Sequence, residues 1–89
     1  MYKVHWGRQA VNRLTSLWIE SDSALRRAIT EASHGLTQRL QIAPEDEGES
    51  RSHGRRITFV TPLIVLFRID RKRRLVRVLD VRLWPQRGH

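Results

Sequence analysis

Arginine is the residue type in this sequence with the most potential for chemistry. Fifteen of the seventeen basic residues are arginine, and the chain has no cysteine. A guanidinium group binds phosphate or carboxylate through paired hydrogen bonds and stacks on nucleobases, which lysine does not do. Arg56, Arg68 and Arg82 each fall on a different strand-like segment. The sequence predicts that they converge as one anion site; three independent exposed arginines are the alternative.

The basic charge is concentrated in the second half of the chain. Residues 1–50 hold six bases and seven acids, a net charge of −1, whereas residues 51–89 hold eleven bases and two acids, a net charge of +9. This asymmetry favours an anionic partner over a uniformly solvated basic surface. RNA, DNA and an acidic protein all satisfy that requirement.

The first half of the sequence predicts a short strand and a helical hairpin. Residues 2–6 alternate between apolar and polar side chains, as a strand does. Helical spacing then predicts helices over residues 9–21 and 23–41, with N-cap residues between them and Ala43-Pro44 after the second. The apolar positions of the first helix are Val11, Leu14, Leu17 and Trp18, and those of the second are Leu25, Ala28, Ile29, Ala32, Leu36 and Leu40.

An acidic loop and three strands complete the predicted fold. Residues 44–50 are acidic and contain no large apolar side chain, so they form either a solvated linker or a flap near the basic sheet. Residues 55–61, 63–70 and 75–84 are predicted strands joined as antiparallel hairpins. The sequence therefore predicts one α+β domain over residues 1–89. Its order is β-α-α-β-β-β, with the helical hairpin packed on one face of a small, mainly antiparallel sheet.

Alternation along the strands predicts which side chains lie on each face of the sheet. We call the face that the helices do not cover the open face. In the middle strand one parity is entirely apolar, and this face is expected to carry the helices. In the preceding strand Ile57 is assigned to the apolar face and Arg56 to the open face. In the last strand, Arg77 occupies one of the alternate positions that are otherwise aliphatic and so is assigned to the apolar face, whereas Arg82 is assigned to the open face. The open face is expected to present Arg56, Arg68 and Arg82 around a partly apolar centre.

The strands together resemble a known family. Residues 63–70, LIVLFRID, are similar to a central strand that reads aliphatic, aromatic, Arg, aliphatic, Asp. Residues 75–82 look like a valine-rich last strand, and residues 48–51 and 55–59 look like the entry to the second strand. With the element order, these segments resemble the RelE/ParE superfamily, the plasmid-stabilisation type of type II toxin–antitoxin toxin. The resemblance covers essentially the whole chain.

The resemblance implies a basic, cytoplasmic toxin that an acidic antitoxin holds silent. RelE-like members are endoribonucleases that cleave mRNA on the ribosome without a metal or other cofactor and so inhibit translation. ParE-like members inhibit DNA gyrase, and a catalytically weakened, binding-only member is a third possibility. The antitoxin, or an acidic peptide segment of it, is expected in the groove beside the helical hairpin and the sheet, with Trp18 or Trp84 as an apolar anchor. No membrane association is expected.

Metal-free RNA cleavage requires a base, an acid and cations that stabilise the phosphate in the transition state. The candidate catalytic residues are His53, Asp80, Arg68 and Arg82, and Glu49 and His89 are further acid–base candidates. His53 is the preferred proton-transfer group because imidazole suits neutral pH. The implied nucleic-acid contacts are Arg51, Arg55, Arg56, Trp84 and Arg87. The chain departs from RelE-like nucleases in having no tyrosine near its C-terminus, where Trp84 can stack but cannot transfer a proton.

Overall fold

The computed structural model describes residues 1–84, which form a helical hairpin against one face of a five-stranded sheet. The predicted α+β order is confirmed, and each predicted helix or strand ends within two residues of its observed bounds. The acidic loop adds a two-residue strand. The elements are β1 (Lys3–Trp6), α1 (Arg8–Ile19), α2 (Ser23–Ile42), β2 (Glu49–Ser50), β3 (Arg55–Val60), β4 (Leu63–Asp70) and β5 (Leu75–Leu83).

The sheet order is β1-β5-β4-β3-β2. Every neighbouring pair is antiparallel except β1 and β5, which are parallel. A parallel pair needs a crossover connection, and the chain between β1 and β5 supplies it with the helices and the other strands. The mainly antiparallel sheet of the prediction is therefore observed. None of the helices within residues 1–84 is long and apolar enough to cross a membrane.

The helix boundaries follow from their capping residues. The Asp22 carboxylate accepts a hydrogen bond from the Leu25 backbone N–H at 2.9 Å and so caps the N-terminus of α2. Pro44 begins a 3-10 turn directly after α2. In α2, Ile29, Leu36 and other apolar residues at the predicted spacing are buried against the sheet.

The first helix buries less of its apolar face than predicted. Ala10 is fully buried, and Leu14 and Leu17 pack against the core. Val11 and Trp18 are instead 44% and 41% exposed. The reason is that α1 is short and packs mainly on β5, so these two side chains turn towards the groove between α1 and α2.

A β-bulge overturns the predicted faces of β5. Leu79 has no partner on β4, whereas Val78 and Asp80 on either side of it do. One extra residue reverses the alternation of side chains between the two faces. Val78 is therefore buried on the same side as Val81, and Arg77 is exposed on the open face. The assignment of Arg77 to the aliphatic face was wrong.

The predicted faces of β3 are wrong as well. Thr58 pairs with Val65 of β4 and is buried, so Ile57 and Phe59 lie on the open face. Arg56 is two residues from Thr58 and lies on the side that carries the helices. Side-chain hydropathy alone favoured Ile57 for the core, but the pairing with β4 determines the face.

The acidic loop is folded and tethered. Its Glu45 and Glu47 carboxylates form ion pairs with Arg71 and Arg39, which lie outside the open face. The Arg56 guanidinium donates hydrogen bonds of 3.0–3.1 Å to the backbone carbonyls of Glu45, Glu47 and Gly48 and to the Ser50 hydroxyl. The loop is therefore not a plain solvated linker. It lies against the basic sheet, as the alternative interpretation expected, but on the helix-bearing side of β3 and not over the open face.

Candidate functional site

A row of basic side chains crosses the open face of the sheet. Arg55 on β3 pairs with Arg68 on β4, which pairs with Arg77 on β5. His5 on β1 pairs with Arg77 and continues the row to the edge strand. Neighbouring strands lie about 5 Å apart and paired residues project to the same face, so the four residues span about 15 Å and the three arginines about 10 Å. We call Arg55, Arg68 and Arg77 the cationic row.

Within residues 1–84, no carboxylate forms an ion pair with the cationic row. The described part of the chain contains six ion pairs, and none of them involves Arg55, Arg68 or Arg77. Like charges directly opposite each other across strands destabilise a sheet. A bound anion would relieve this repulsion, so the cationic row is a candidate anion site.

His53 lies at the β3 end of the cationic row. Its backbone carbonyl accepts a hydrogen bond of 2.9 Å from Arg68 Nη2, and its ring Nδ1 is 3.5 Å from Arg55 Nη2. His53 is exposed and has a φ of +63°, in the left-handed region that few non-glycine residues adopt. The structure therefore brings together the predicted proton-transfer group and two of the predicted cations.

Asp80 and Arg82 form a second cluster beside the row. Asp80 Oδ1 is 3.2 Å from Arg13 Nε and also accepts a hydrogen bond of 2.9 Å from the Val81 N–H. Asp80 Oδ2 is 3.7 Å from Arg82 Nε. Its side chain is only 15% exposed. The carboxylate is therefore held between two guanidinium groups, one of them contributed by α1.

The centre of the open face is apolar, as the sequence predicted. A cleft of about 180 Å³ is lined by Ile57, Ile64, Leu66, Asp80, Val81 and Arg82. At its far end the Phe59 and Trp84 rings meet edge to face, with centroids 5.4 Å apart. Phe59 is 52% and Trp84 47% exposed. Exposed aromatic rings beside guanidinium groups are a surface on which nucleobases can stack.

The remaining predicted contacts are placed differently. Arg51 is exposed and pairs with Glu49 at 3.1 Å. The predicted convergence of Arg56, Arg68 and Arg82 is wrong. Arg56 lies on the other face, where its donors bind the acidic loop, and Arg82 pairs with Ile64, about 13 Å along β4 from Arg68. Arg87 lies outside the described residues. Within residues 1–84, no three His, Asp or Glu side chains form a group that could hold a metal ion.

The sequence reasoning missed Arg77, Arg13 and His5. The bulge at Leu79 concealed the position of Arg77, since simple alternation placed it on the opposite face. His5 joins the row only because β1 pairs with β5, which places it beside Arg77, 72 residues further along the chain. The one sequence signal that indicated an exposed position for Arg77 was its charge within an otherwise apolar run.

Comparison with solved structures relates this fold to known proteins. A chain of the toxin–antitoxin complex RelBE2 from Mycobacterium tuberculosis superposes with a TM-score of 0.72 at 20% identity, covering 96% of this chain and 93% of that one. A chain of the chromosomal ParDE system from P. aeruginosa gives 0.71 at 18% identity, covering 93% and 96%. The isolated E. coli RelE toxin gives 0.63 at 12% identity, covering 98% and 88%.

Neither the protein-family models nor the curated proteins give a match to this sequence. At 12–20% identity the relationship is one of fold. The fold implied by the sequence resemblance is thereby confirmed, since the superpositions include nearly all of each chain. The chain has the RelE/ParE toxin fold.

Proposed function

We propose that residues 1–89 form a single cytoplasmic toxin domain of a type II toxin–antitoxin pair, and that it acts in the RelE manner by metal-free cleavage of mRNA on the ribosome. The observation that carries this proposal is the cationic row with His53 at its end, on the open face of this fold. A phosphodiester needs cations to neutralise the transition state and a group to transfer a proton, and the row offers both together.

The roles of the residues follow from their positions. Arg68 and Arg55 would bind the scissile phosphate, since both point to the open face and both contact His53. The His53 imidazole would take a proton from the attacking 2′-hydroxyl or give one to the leaving oxygen. The Asp80 carboxylate would position Arg82 beside the same substrate, because both of its oxygens face guanidinium groups.

Inhibition of DNA gyrase is the second candidate function. The superposition on the ParDE chain is as good as that on the RelBE2 chain, with TM-scores of 0.71 and 0.72. The absence of a tyrosine in the second half of the sequence also favours a toxin that binds without cleaving. In this alternative the open face would bind an acidic protein surface.

An acidic antitoxin is the partner that the helical hairpin fits. The groove between α1 and α2 exposes Trp18 beside Leu14 and Ile29 in a cleft of about 200 Å³. The Arg26 guanidinium lies 4.5 Å from the centre of the Trp18 ring. An amphipathic helix could place an apolar side chain on Trp18 and a carboxylate on Arg26.

A cell-free translation assay tests the proposal. The full chain is added to a translation extract with a reporter mRNA, and 5′ ends are mapped on the recovered message. New ends are expected in the translated message, and none in a matched message without a start codon. An intact message, with loss of gyrase supercoiling activity on addition of the chain, would replace this proposal with the gyrase alternative.

A further inference from the structure

The open face is divided into three successive rungs that run across the strands. The first rung is the cationic row, with His5 at its end. The second is apolar in the middle and acidic at both ends, with Glu49, Ile57, Leu66 and Asp80 paired in that order. The third contains Phe59, Ile64 and Arg82 and ends beside Trp84.

The spacing of the rungs matches the two parts of a nucleotide. Residues two apart on a strand lie about 7 Å apart and share a face, so the apolar rung is about 7 Å from the cationic row. A phosphate on the row therefore leaves its base above Ile57 and Leu66, which line the apolar cleft.

We propose that the cationic row binds the backbone of a single-stranded RNA across the strands, from Arg55 to Arg77, with its bases over the apolar cleft and the Phe59–Trp84 pair. RNA as the ligand rests on the proposed function; the direction of the strand and the role of Arg77 go beyond it. A duplex does not fit this surface, because its bases are stacked inside and cannot reach the cleft. An acidic peptide would pair its carboxylates with the arginines of the row, but its carboxylate side chains have no planar rings that could stack on the Phe59–Trp84 pair.

Arg77 is the residue that distinguishes an RNA backbone crossing the strands from a single phosphate bound at Arg68 and Arg55. It lies beyond the contacts between Arg68, Arg55 and His53, at the other end of the row, where only a backbone that crosses the strands would meet it. The three arginines of the row have no carboxylate partner in the part of the chain that the structure describes, so their charge is available to phosphate. Paired guanidinium–phosphate hydrogen bonds are strong and directional.

Binding of a labelled oligouridine RNA, measured by fluorescence anisotropy over a salt series, tests the inference. Arg77→Gln is compared with Arg73→Gln, which removes the same charge from the turn between β4 and β5. Arg77→Gln is expected to weaken binding about tenfold and to reduce the slope of log K against log salt by about 0.7, the value for one lost contact to a single strand. Arg73→Gln is expected to change neither substantially.

Two results would overturn the inference. One is that Arg77→Gln and Arg73→Gln weaken oligouridine binding equally, which would mean a diffuse charge effect. The other is that polyglutamate or a duplex of the same length binds as tightly as oligouridine and depends equally on Arg77. Because binding is measured on the purified chain, it can succeed where the translation assay fails, and the two proposals are tested separately.

Discussion

Arg68 lies directly opposite Arg77 across the β4–β5 pair, and both side chains are exposed on the open face of the sheet. Arg55 is the next neighbour of Arg68 on the other side. Three like charges in adjacent cross-strand positions oppose folding, since each repels the next. Such a row is unfavourable for the free chain and favourable once an anion is bound, which links the stability of this sheet to its function.

Removal of one charge from the row is expected to stabilise the free chain. Arg77→Gln should raise the free energy of unfolding by about 0.2–1 kcal/mol at low salt, because it removes one repulsive cross-strand pair. The gain should shrink as salt is raised from about 0.01 M to about 1 M, where the charges are screened. Urea unfolding at both salt concentrations measures this. A loss of stability at low salt would mean that Arg77 has a stabilising partner.

Gly48 is expected to tolerate no side chain. A Cβ at Gly48 would clash with the Ile57 carbonyl oxygen, and the φ of Gly48 is +68°. Gly54 has a similar φ of +72° but open space around it, so it serves as the matched control. Gly54→Ala should cost about 1 kcal/mol from backbone strain alone, and Gly48→Ala clearly more. Equal losses in chemical unfolding would contradict the close approach of the acidic loop to β3.

Arg56 is expected to contribute to stability through the acidic loop. Its guanidinium makes four hydrogen bonds to that loop, so Arg56→Ala should lower the free energy of unfolding by about 1–3 kcal/mol. The exposed Arg27 on α2 provides a charge-matched control, for which Arg27→Ala should change stability by less than about 0.5 kcal/mol. Thermal unfolding of both variants gives the comparison. Equal stability would mean that Arg56 is free to contact a ligand.

The helices and strands could be predicted from the sequence, but the face of the sheet on which some side chains of β3 and β5 lie could not. Periodicity, the Asp22 cap and Pro44 determine the helices because these signals are local. The faces of β3 and β5 depend instead on pairing with β4. A buried Thr58 beside an exposed Phe59 contradicts simple hydropathy, and the bulge at Leu79 leaves no local signal that alternation could detect.

The candidate site could be predicted only in part for the same reason. Arg68 and Arg82 were assigned to the correct face but do not converge, since the parity of β4 is unambiguous, Arg82 follows the bulge, and the two arginines lie at different positions along β4. Arg77 and His5 could not be placed without the bulge and the parallel β1–β5 pair. Arg13 reaches Asp80 from a helix, at a sequence separation of 67 residues. No pattern within one element indicates such a contact.

His53 is expected to be needed for cleavage and not for RNA binding. Asparagine tolerates the left-handed backbone conformation of His53 better than alanine, so His53→Asn removes the imidazole with little added strain. The variant should bind oligouridine within about twofold of the original chain and leave translated mRNA uncut. His34→Asn, at an exposed position on α2, is the control. Undiminished cleavage by His53→Asn would exclude His53 as the proton-transfer group.

Asp80→Asn separates positioning from proton transfer at the second cluster. If the carboxylate only positions Arg82, the neutral amide should lower the cleavage rate modestly, because it still accepts a hydrogen bond from Arg13. Single-turnover cleavage of a translated reporter measures the rate. A loss as complete as that expected for His53→Asn would assign a proton-transfer role to Asp80 as well.

Growth after induced expression is the most direct test of the claim that the open face is the working surface of this toxin fold. The variants are Arg68→Glu on the open face and Arg73→Glu in the β4–β5 turn, compared at equal protein levels and with circular dichroism as the folding control. The original chain and Arg73→Glu are expected to arrest growth, while cells with Arg68→Glu continue to grow, because a carboxylate in the cationic row repels the anionic target. Arrest by a folded Arg68→Glu variant at the same rate as the original chain would contradict the account.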